Sequence, residues 1–290
     1  MVGRRWTGYA LLAPAVLVLL ALVVYPTAFT FIKSLHYYQL FRPQDERFIG
    51  LQNFRSLLVS DQQFWMSLRL TIVFTFAAVG LELLIGLGLA ALVFRYAEST
   101  RAFRAVFAIP MMMAPVVVSL IWRYMYDPSS GIINVALRAL GLPAPNWLYD
   151  TSTALASIVI VDVWQWTPFV FVVLFAGMMA LPRNVEEAAR LDGAGYIQYV
   201  RHFMLPGLKP VILVVLLLRA IDAFKSFDQV YILTGGGPGT TTYLLSYYGS
   251  VIGFHNYNIG LAAALAILIM LMIAAMTSVL LRVLGKELFA

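Results

Sequence analysis

The chain has 290 residues, of which 61% are hydrophobic and only 12% are charged, and it contains no cysteine. A soluble domain has an apolar share of about 45–50% and could not hide this much apolar surface, so we expect the surrounding solvent to be lipid. The lack of cysteine excludes disulfides, thiolate metal sites and cysteine nucleophiles. The net charge of +6 does not indicate nucleic-acid binding, because the basic residues flank apolar segments, a pattern that reports membrane orientation.

Six apolar segments follow one another, each able to supply the roughly 20 residues that cross a membrane as a helix. The first has 27 uncharged residues between Arg5 and Lys33. It exceeds the apolar stretch of about 7–15 residues in a cleaved signal peptide, so we expect it to be retained. The third contains Pro110 and Pro115, which should kink or break it. We predict one all-α integral membrane domain over residues 1–290, with spans at about 9–32, 70–94, 105–126, 153–181, 206–233 and 256–281.

The basic residues of the connecting segments are unevenly distributed. With the N-terminus inside, 11 lysines and arginines lie on the inner side and 7 on the outer side. By the positive-inside rule, both termini are expected to be cytoplasmic. In the outer segment between spans one and two, an amphipathic piece from Asn53 to Leu58 is expected at the membrane interface.

The cytoplasmic segment 182–205, between spans four and five, is polar and prone to form helices. Pro182 can begin a helix, and Glu187 lies in a first turn where acidic residues complement the helix dipole. Gly193 can end that helix, and a second one should run from about Ala194 to Met204, before Pro206 opens the next span. Small residues would form the tip: Ala188, Ala189, Gly193 and Ala194. The residues alone leave two alternatives, a surface that docks a partner or a connector resting on the membrane.

The spacing of residues in this segment bears on the choice between a docking surface and a connector. Glu187-Ala188-Ala189, then Gly193, then Leu205-Pro206 resembles the EAA loop of permeases in bacterial ABC importers. The family favours isoleucine where Phe203 stands, a change that keeps an apolar side chain. The resemblance implies a type I ABC importer fold of six transmembrane helices, in which this loop is a coupling helix seated on a separate ATPase. The implied coupling residues are Glu187, Ala188, Ala189, Asp192, Gly193, Ala194, Leu205 and Pro206.

Other segments are similar to the carbohydrate-uptake branch of this family, and to the first of its two permeases in maltose- or glycerol-3-phosphate-type systems. They are Trp122, Asp127-Pro128, Gly131–Asn134, Asn146-Trp147, Trp164, Pro168 and Phe227–Pro238. The resemblance implies a multi-pass protein of the bacterial plasma (inner) membrane that binds no cofactor itself. Its implied partners are a second homologous permease, two ATPase subunits carrying ATP and Mg²⁺, and an extracytoplasmic binding protein.

No constellation for catalysis or for metal binding is found in the sequence. The glycine run that starts at Gly235 lacks the Gly-Lys-Ser/Thr ending of a P-loop, so we interpret it as a turn. His36, His202 and His255 are too scattered for a metal triad. We therefore predict a transport subunit rather than an enzyme.

Span five contains Arg219, Asp222, Lys225 and Asp228, each three residues apart. On one continuous helix these positions rotate by about 60° per step and cannot form one stripe. One interpretation is local pairing of Arg219 with Asp222 and of Lys225 with Asp222 or Asp228. The other is that Lys225, Phe227 and Asp228 reach the substrate, since charges at membrane depth usually face a cavity or each other.

Span four carries polar and aromatic residues before Pro168. Such side chains suit sugars, and helices interrupted by proline often border transport sites. The alternative is an aromatic belt at the membrane interface. In span two, Glu82 is expected to be buried and paired or protonated rather than part of a proton relay. The candidates for the substrate path are Trp164, Gln165, Thr167, Lys225, Phe227, Asp228 and Tyr231.

The favoured hypothesis is a permease subunit of an ATP-driven importer, forming half of the path for a sugar, oligosaccharide or sugar derivative. One alternative is a secondary transporter driven by an ion gradient, with Glu82, Asp162 and Asp228 as coupling sites. Another is an ABC importer for a non-sugar anionic solute such as glycerol-3-phosphate.

Overall fold

The computed structural model describes residues 3–95, 107–182, 189, 191 and 193–284. Its helices are α1 Gly3–Leu19, α2 Tyr25–Ser34, α3 Gln52–Arg55, α4 Gln62–Arg95, α5 Ile109–Met112, α6 Pro115–Met125, α7 Ile132–Ala139, α8 Ala154–Met179, α9 Tyr196–Tyr199, α10 Leu205–Phe224, α11 Asp228–Leu233, α12 Leu245–Ser250 and α13 Ile259–Leu284. Two short strands, β1 His36–Tyr37 and β2 Arg47–Phe48, pair antiparallel with His36 opposite Phe48. π-helical turns follow α1, α3, α9 and α12 at Leu20–Val24, Ser56–Ser60, Val200–Met204 and Val251–His255.

Five helical stretches of the described chain are long and apolar enough to cross a membrane. They are Leu11–Ser34, Gln62–Arg95, Ala154–Met179, Tyr196–Phe224 and Ile259–Val283, and each overlaps one of the six predicted spans. The predicted third span is instead divided into α5 and the 11-residue α6. The break falls at Met113 and Ala114, which are extended, because the residue before Pro115 is held out of the helical region. The predicted break at Pro115 is thus confirmed.

The predicted fifth span, 206–233, differs from the structure at both ends. Helical backbone begins at Tyr196 and continues through the π-helical turn into α10, so Pro206 lies inside the stretch instead of opening it. α10 ends at Phe224, and a separate helix, α11, starts at Asp228. The rotation argument for Arg219 to Asp228 fails for this reason, since the two residues do not share one helix.

One compact unit consists of Met1–Trp65 and Tyr248–Met272. Within it, no residue of the apolar window of Leu11–Ser34 is buried, so that helix presents apolar side chains all round. Asn53 holds the turn after α2, because its Nδ2 donates to the carbonyls of Ser34 and His36 at 2.8 and 2.9 Å. The piece predicted from Asn53 to Leu58 is helical, with Asn53 and Leu57 buried and Leu58 exposed.

The other unit consists of Met66–Tyr247 and Ile273–Ala290. Its core lies between α4, α8 and α10 and includes Phe171, Leu174, Met178 and Leu208. Glycine lets these helices approach closely. A β-carbon on Gly86 would lie 2.7 Å from Val170 Cγ1, and one on Gly177 would lie 2.9 Å from Leu208 Cδ2. The close contact fixes the three helices that carry the polar residues described below.

The loop between α6 and α7 is a tight polar turn, as the Asp-Pro-Ser-Ser-Gly sequence predicts. Asp127 Oδ1 accepts hydrogen bonds from the backbone N–H and the hydroxyl groups of Ser129 and Ser130, at 2.8–3.0 Å. These donors, the Ser130 N–H first among them, hold the pKa of Asp127 well below its usual range. Asn134, in α7, accepts from Trp147 Nε1 at 2.8 Å and so fixes the following loop.

Candidate functional site

The loop 182–205 turns at Gly193. This residue has a φ of +79°, a left-handed conformation that glycine adopts without strain. The Ala194 N–H donates to the Ala189 carbonyl at 2.9 Å, closing the hydrogen bond of a Schellman helix end. The turn predicted at Gly193 is therefore present, and its sharpness depends on the absence of a side chain.

The second half of the loop is fastened to the core of its own unit. The Tyr196 hydroxyl donates to the Ala91 carbonyl at 2.6 Å, and the Arg95 guanidinium lies 4.9 Å from the centre of the Tyr196 ring. Tyr199 and Ala189 are buried in the same apolar cluster as the end of α4. Ala189 thus packs inward, which corrects the expectation that it lies at an exposed tip. The loop and α4 are held together at this level.

Large apolar side chains remain uncovered on this loop. Leu191 is 89% exposed and Ile197 is 80% exposed, and Phe203 is 48% exposed. Gly193 and Pro206 are exposed, whereas Ala194 and Leu205 are half-buried. Of the other candidate coupling residues, Glu187, Ala188 and Asp192 lie outside the described part of the chain.

Arg219 is the centre of a buried ionic cluster in the apolar part of the molecule, and its side chain is only 2% exposed. Its Nε and Nη2 donate to the two oxygens of Glu82 at 2.6 and 2.8 Å, and Nη2 also donates to Asp162 Oδ2 at 2.8 Å. Nη1 donates to Asp222 at 2.9 Å, and the guanidinium lies 4.7 Å from the Trp166 ring centre. One cation thereby ties α10 to both α4 and α8. Bidentate, charge-assisted bonds of this kind are strong and geometrically specific.

Two expectations about these charges are confirmed. Glu82 is fully buried and paired, and the local pairs of Asp222 with Arg219 and with Lys225 are present, the latter at 3.6 Å. The links from Arg219 to Glu82 and Asp162 were missed. The sequence does contain a signal for these links, because Glu82, Asp162 and Arg219 lie in three apolar spans, and ionisable residues at membrane depth usually pair with one another.

The candidates of span four separate into two kinds. Trp164 is 41% exposed and packs edge-on against Trp122, with ring centres 5.6 Å apart. Gln165 is buried, and its Nε2 donates to the Met113 carbonyl at the break before α6, at 3.1 Å. Thr167 is also buried and donates to the Val163 carbonyl at 2.6 Å. Only Trp164 of the three therefore offers a free surface.

The candidates after α10 lie where that helix has ended. Lys225 is exposed, Asp228 is half-buried in the first turn of α11, and Tyr231 is 53% exposed. Phe227 stacks on Tyr231 with ring centres 5.4 Å apart and on Tyr247 at 6.2 Å. The structure thus groups three aromatic rings, and Tyr247, which is distant in sequence, was not among the candidates.

Metal binding finds no support in the part of the chain that the structure describes, where no group of three histidine, aspartate or glutamate residues could hold an ion. The glycine run has positive φ angles of +57° at Gly235 and +84° at Gly236, as expected of a turn.

Residues 82–289 match the family model described as "Binding-protein-dependent transport system inner membrane component". Among curated proteins, the trehalose/maltose transport system permease protein MalF of Thermococcus litoralis is 37% identical, and the match covers 95% of this chain and 92% of that protein. The trehalose transport system permease protein SugA of Mycobacterium tuberculosis is 32% identical, with 98% and 90% covered.

A solved structure has the same fold. A chain of a bacterial alginate ABC transporter, in complex with an alginate pentasaccharide-bound periplasmic protein, superposes with a TM-score of 0.84 at 20% identity, covering 97% of this chain and 94% of that one. The type I importer fold is confirmed, and so is the role of a transport subunit with a separate ATPase, while the ion-gradient alternative is set aside. This chain belongs to the family of binding-protein-dependent ABC importer permeases, the inner membrane components that carry out transport.

Proposed function

We propose that this chain is one of two homologous permeases of a sugar importer, and that its loop 182–205 docks on an ATPase subunit. Two ATPase subunits bind ATP and Mg²⁺, and an extracytoplasmic binding protein delivers the substrate. Both termini lie in the cytoplasm of a bacterium.

The observation that carries the docking proposal is the exposure of Leu191 and Ile197, at 89% and 80%, beside Tyr196 and Tyr199, which are held against α4. Apolar side chains of this size in water favour a partner that covers them. The loop is anchored through Tyr196 to α4 and continues into α10, so a displacement of the loop would move both helices. Glu187 supplies an ion pair to the ATPase, and Gly193 supplies the turn.

A neutral carbohydrate is the substrate class that the residues favour. Around the end of α10 the exposed cation, Lys225, lies 3.6 Å from the Asp222 carboxylate, so no excess positive charge is available to an anion. Phe227, Tyr231 and Trp164 offer aromatic faces on which sugar rings stack. The relatives named for trehalose and maltose support the same class. Lys225 and Asp228 provide polar contacts to hydroxyl groups.

The docking proposal is tested with Leu191→Glu in the complete complex. We expect the purified permease pair to lose its ATPase subunits, because a charge replaces an apolar contact. The matched control is Leu140→Glu, since Leu140 is 74% exposed and lies in the segment expected outside the membrane. Loss of the ATPase from both variants, or from neither, would refute docking through this loop.

The substrate class is tested by competition. Unlabelled trehalose and maltose should reduce uptake of the labelled substrate that the binding protein captures, whereas glycerol-3-phosphate should not. Competition by glycerol-3-phosphate alone would overturn the assignment to neutral sugars.

A further inference from the structure

The ionic cluster around Arg219 extends to α11 through a side-chain amide. Gln229 is 3% exposed, and its Nε2 donates to Asp162 Oδ1 at 2.9 Å. Asp162 accepts from Arg219 through its other oxygen, at 2.8 Å. A continuous chain of hydrogen bonds therefore runs from α10 through α8 to α11, and we call Arg219, Asp162 and Gln229 the polar relay.

The α11 end of the relay is attached to α6. Arg123 Nη1, on α6, donates to the Ile232 carbonyl near the end of α11 at 3.1 Å. Both helices are short: α6 is separated from the four-residue α5 by the extended residues Met113 and Ala114, and α11 is separated from α10 by Lys225 to Phe227. The relay adds a side-chain connection between α10 and α11 to the three-residue backbone segment, Lys225 to Phe227, that joins them along the chain.

The α10 end of the relay is continuous with the loop. Helical backbone runs unbroken from Tyr196 to Phe224, and Arg219 lies in the last turns of this stretch. A displacement of the loop can therefore reach Arg219 along one continuous helical segment. The side chain of Arg219 is fixed by two carboxylates of other helices, so it cannot adjust without moving its partners.

Gln229 has one acceptor unused. Its Oε1 is buried without a hydrogen-bond partner in this conformation. A buried acceptor without a donor is unfavourable, and few occur in stable structures. A second arrangement of α11, in which Oε1 finds a donor, would recover that bond. Gln229 therefore has a hydrogen-bond acceptor that the present arrangement of α11 leaves unused.

We propose that Gln229 is a positioning residue for transport: through Asp162 and Arg219 it makes α11 follow the movement that the ATPase imposes on the cytoplasmic loop. This inference rests on the proposed docking of the loop. It assigns a mechanical role to a side chain that does not contact the substrate.

The test is Gln229→Met in the complete complex reconstituted into proteoliposomes. Methionine keeps the volume and removes the amide, so assembly and basal ATP hydrolysis should be unchanged. Uptake per ATP hydrolysed should fall by about tenfold or more, a typical size for coupling between sites. Thr75→Val is the matched control, because Thr75 Oγ1 is also buried without a partner but lies outside the relay. Equal coupling in the wild type and Gln229→Met would overturn the proposal, as would an equal loss in Thr75→Val.

A second measurement separates this proposal from docking and covers the case of a poorly assembled variant. The chain has no cysteine, so single cysteines at Ile197 on the loop and Tyr231 on α11 can be labelled with a water-soluble maleimide. The ATPase should protect position 197 in every background, and its failure to do so would refute docking. ATP with loaded binding protein should change the labelling rate at 231, and Gln229→Met should abolish that change while protection at 197 persists. An unaltered change at 231 in Gln229→Met would refute the relay.

Discussion

The turn at Gly193 gives the sharpest test of the loop geometry. An alanine there would have to adopt a φ of +79°, which costs a residue with a side chain about 1–2 kcal/mol. A β-carbon would meet no atom within 4 Å, so the whole effect comes from the backbone. A penalty of 1–2 kcal/mol corresponds to roughly a 5- to 30-fold weaker equilibrium. We expect Gly193→Ala to weaken binding of the ATPase by that factor, measured by titration of the detergent-solubilised permease pair.

Two variants control this experiment. Gly195 lies two residues on with a φ of −67°, which any residue adopts, and a β-carbon there would be 3.8 Å from its nearest neighbour, Gln198 Oε1. Gly195→Ala should therefore bind the ATPase as the wild type does. Gly193→Asn should recover part of the loss, since asparagine tolerates the left-handed region. Equal losses for alanine at 193 and at 195, or no loss at either, would refute the reasoning from backbone conformation.

Three further predictions concern a hydrogen bond, a polar turn and a close helix–helix contact. Tyr196→Phe removes the hydrogen bond to Ala91 and should destabilise the folded loop by about 1 kcal/mol. The measurement is hydrogen exchange of the loop's backbone amides, which should become faster. Asp127→Ala should lower the thermal unfolding temperature at pH 7. Because the folded-state pKa of Asp127 is depressed, its stabilisation is present above the unfolded pKa of about 3.9 and is lost as the pH falls through the folded value, so the difference should vanish in acid. Gly86→Ala should destabilise the protein by about 1–3 kcal/mol through overpacking, whereas Gly88→Ala, whose β-carbon meets nothing within 4 Å, should not, both measured by thermal unfolding.

Hydropathy alone predicts the long spans, because an uncharged run of sufficient length has few other solutions in lipid. The break at Pro115 was predictable for the same local reason, since proline restricts the residue before it. The break after Phe224 was not, because the segment up to Asp228 contains neither proline nor glycine. Buried side chains on both sides of this break, Arg219 and Gln229, donate to Asp162 of α8, and such tertiary hydrogen bonds cannot be read from local sequence.

The candidate site was predicted in part. The turn at Gly193 depends on local conformation and was found, whereas the inward packing of Ala189 depends on tertiary contacts and was not. Gln165 was proposed for the substrate from its polarity, yet its amide is used at the break before α6. Whether a polar side chain is available to the substrate depends on hydrogen-bond partners from distant segments, as Met113 is for Gln165.

The central claim is that this chain moves its substrate with energy from ATP hydrolysed on another subunit. The direct measurement is uptake into proteoliposomes that contain the permease pair with or without the ATPase, in the presence of loaded binding protein. Uptake should occur only with the ATPase and ATP, and it should be unchanged when ionophores dissipate the proton and sodium gradients. Uptake by the permeases alone that collapses with those ionophores would contradict it.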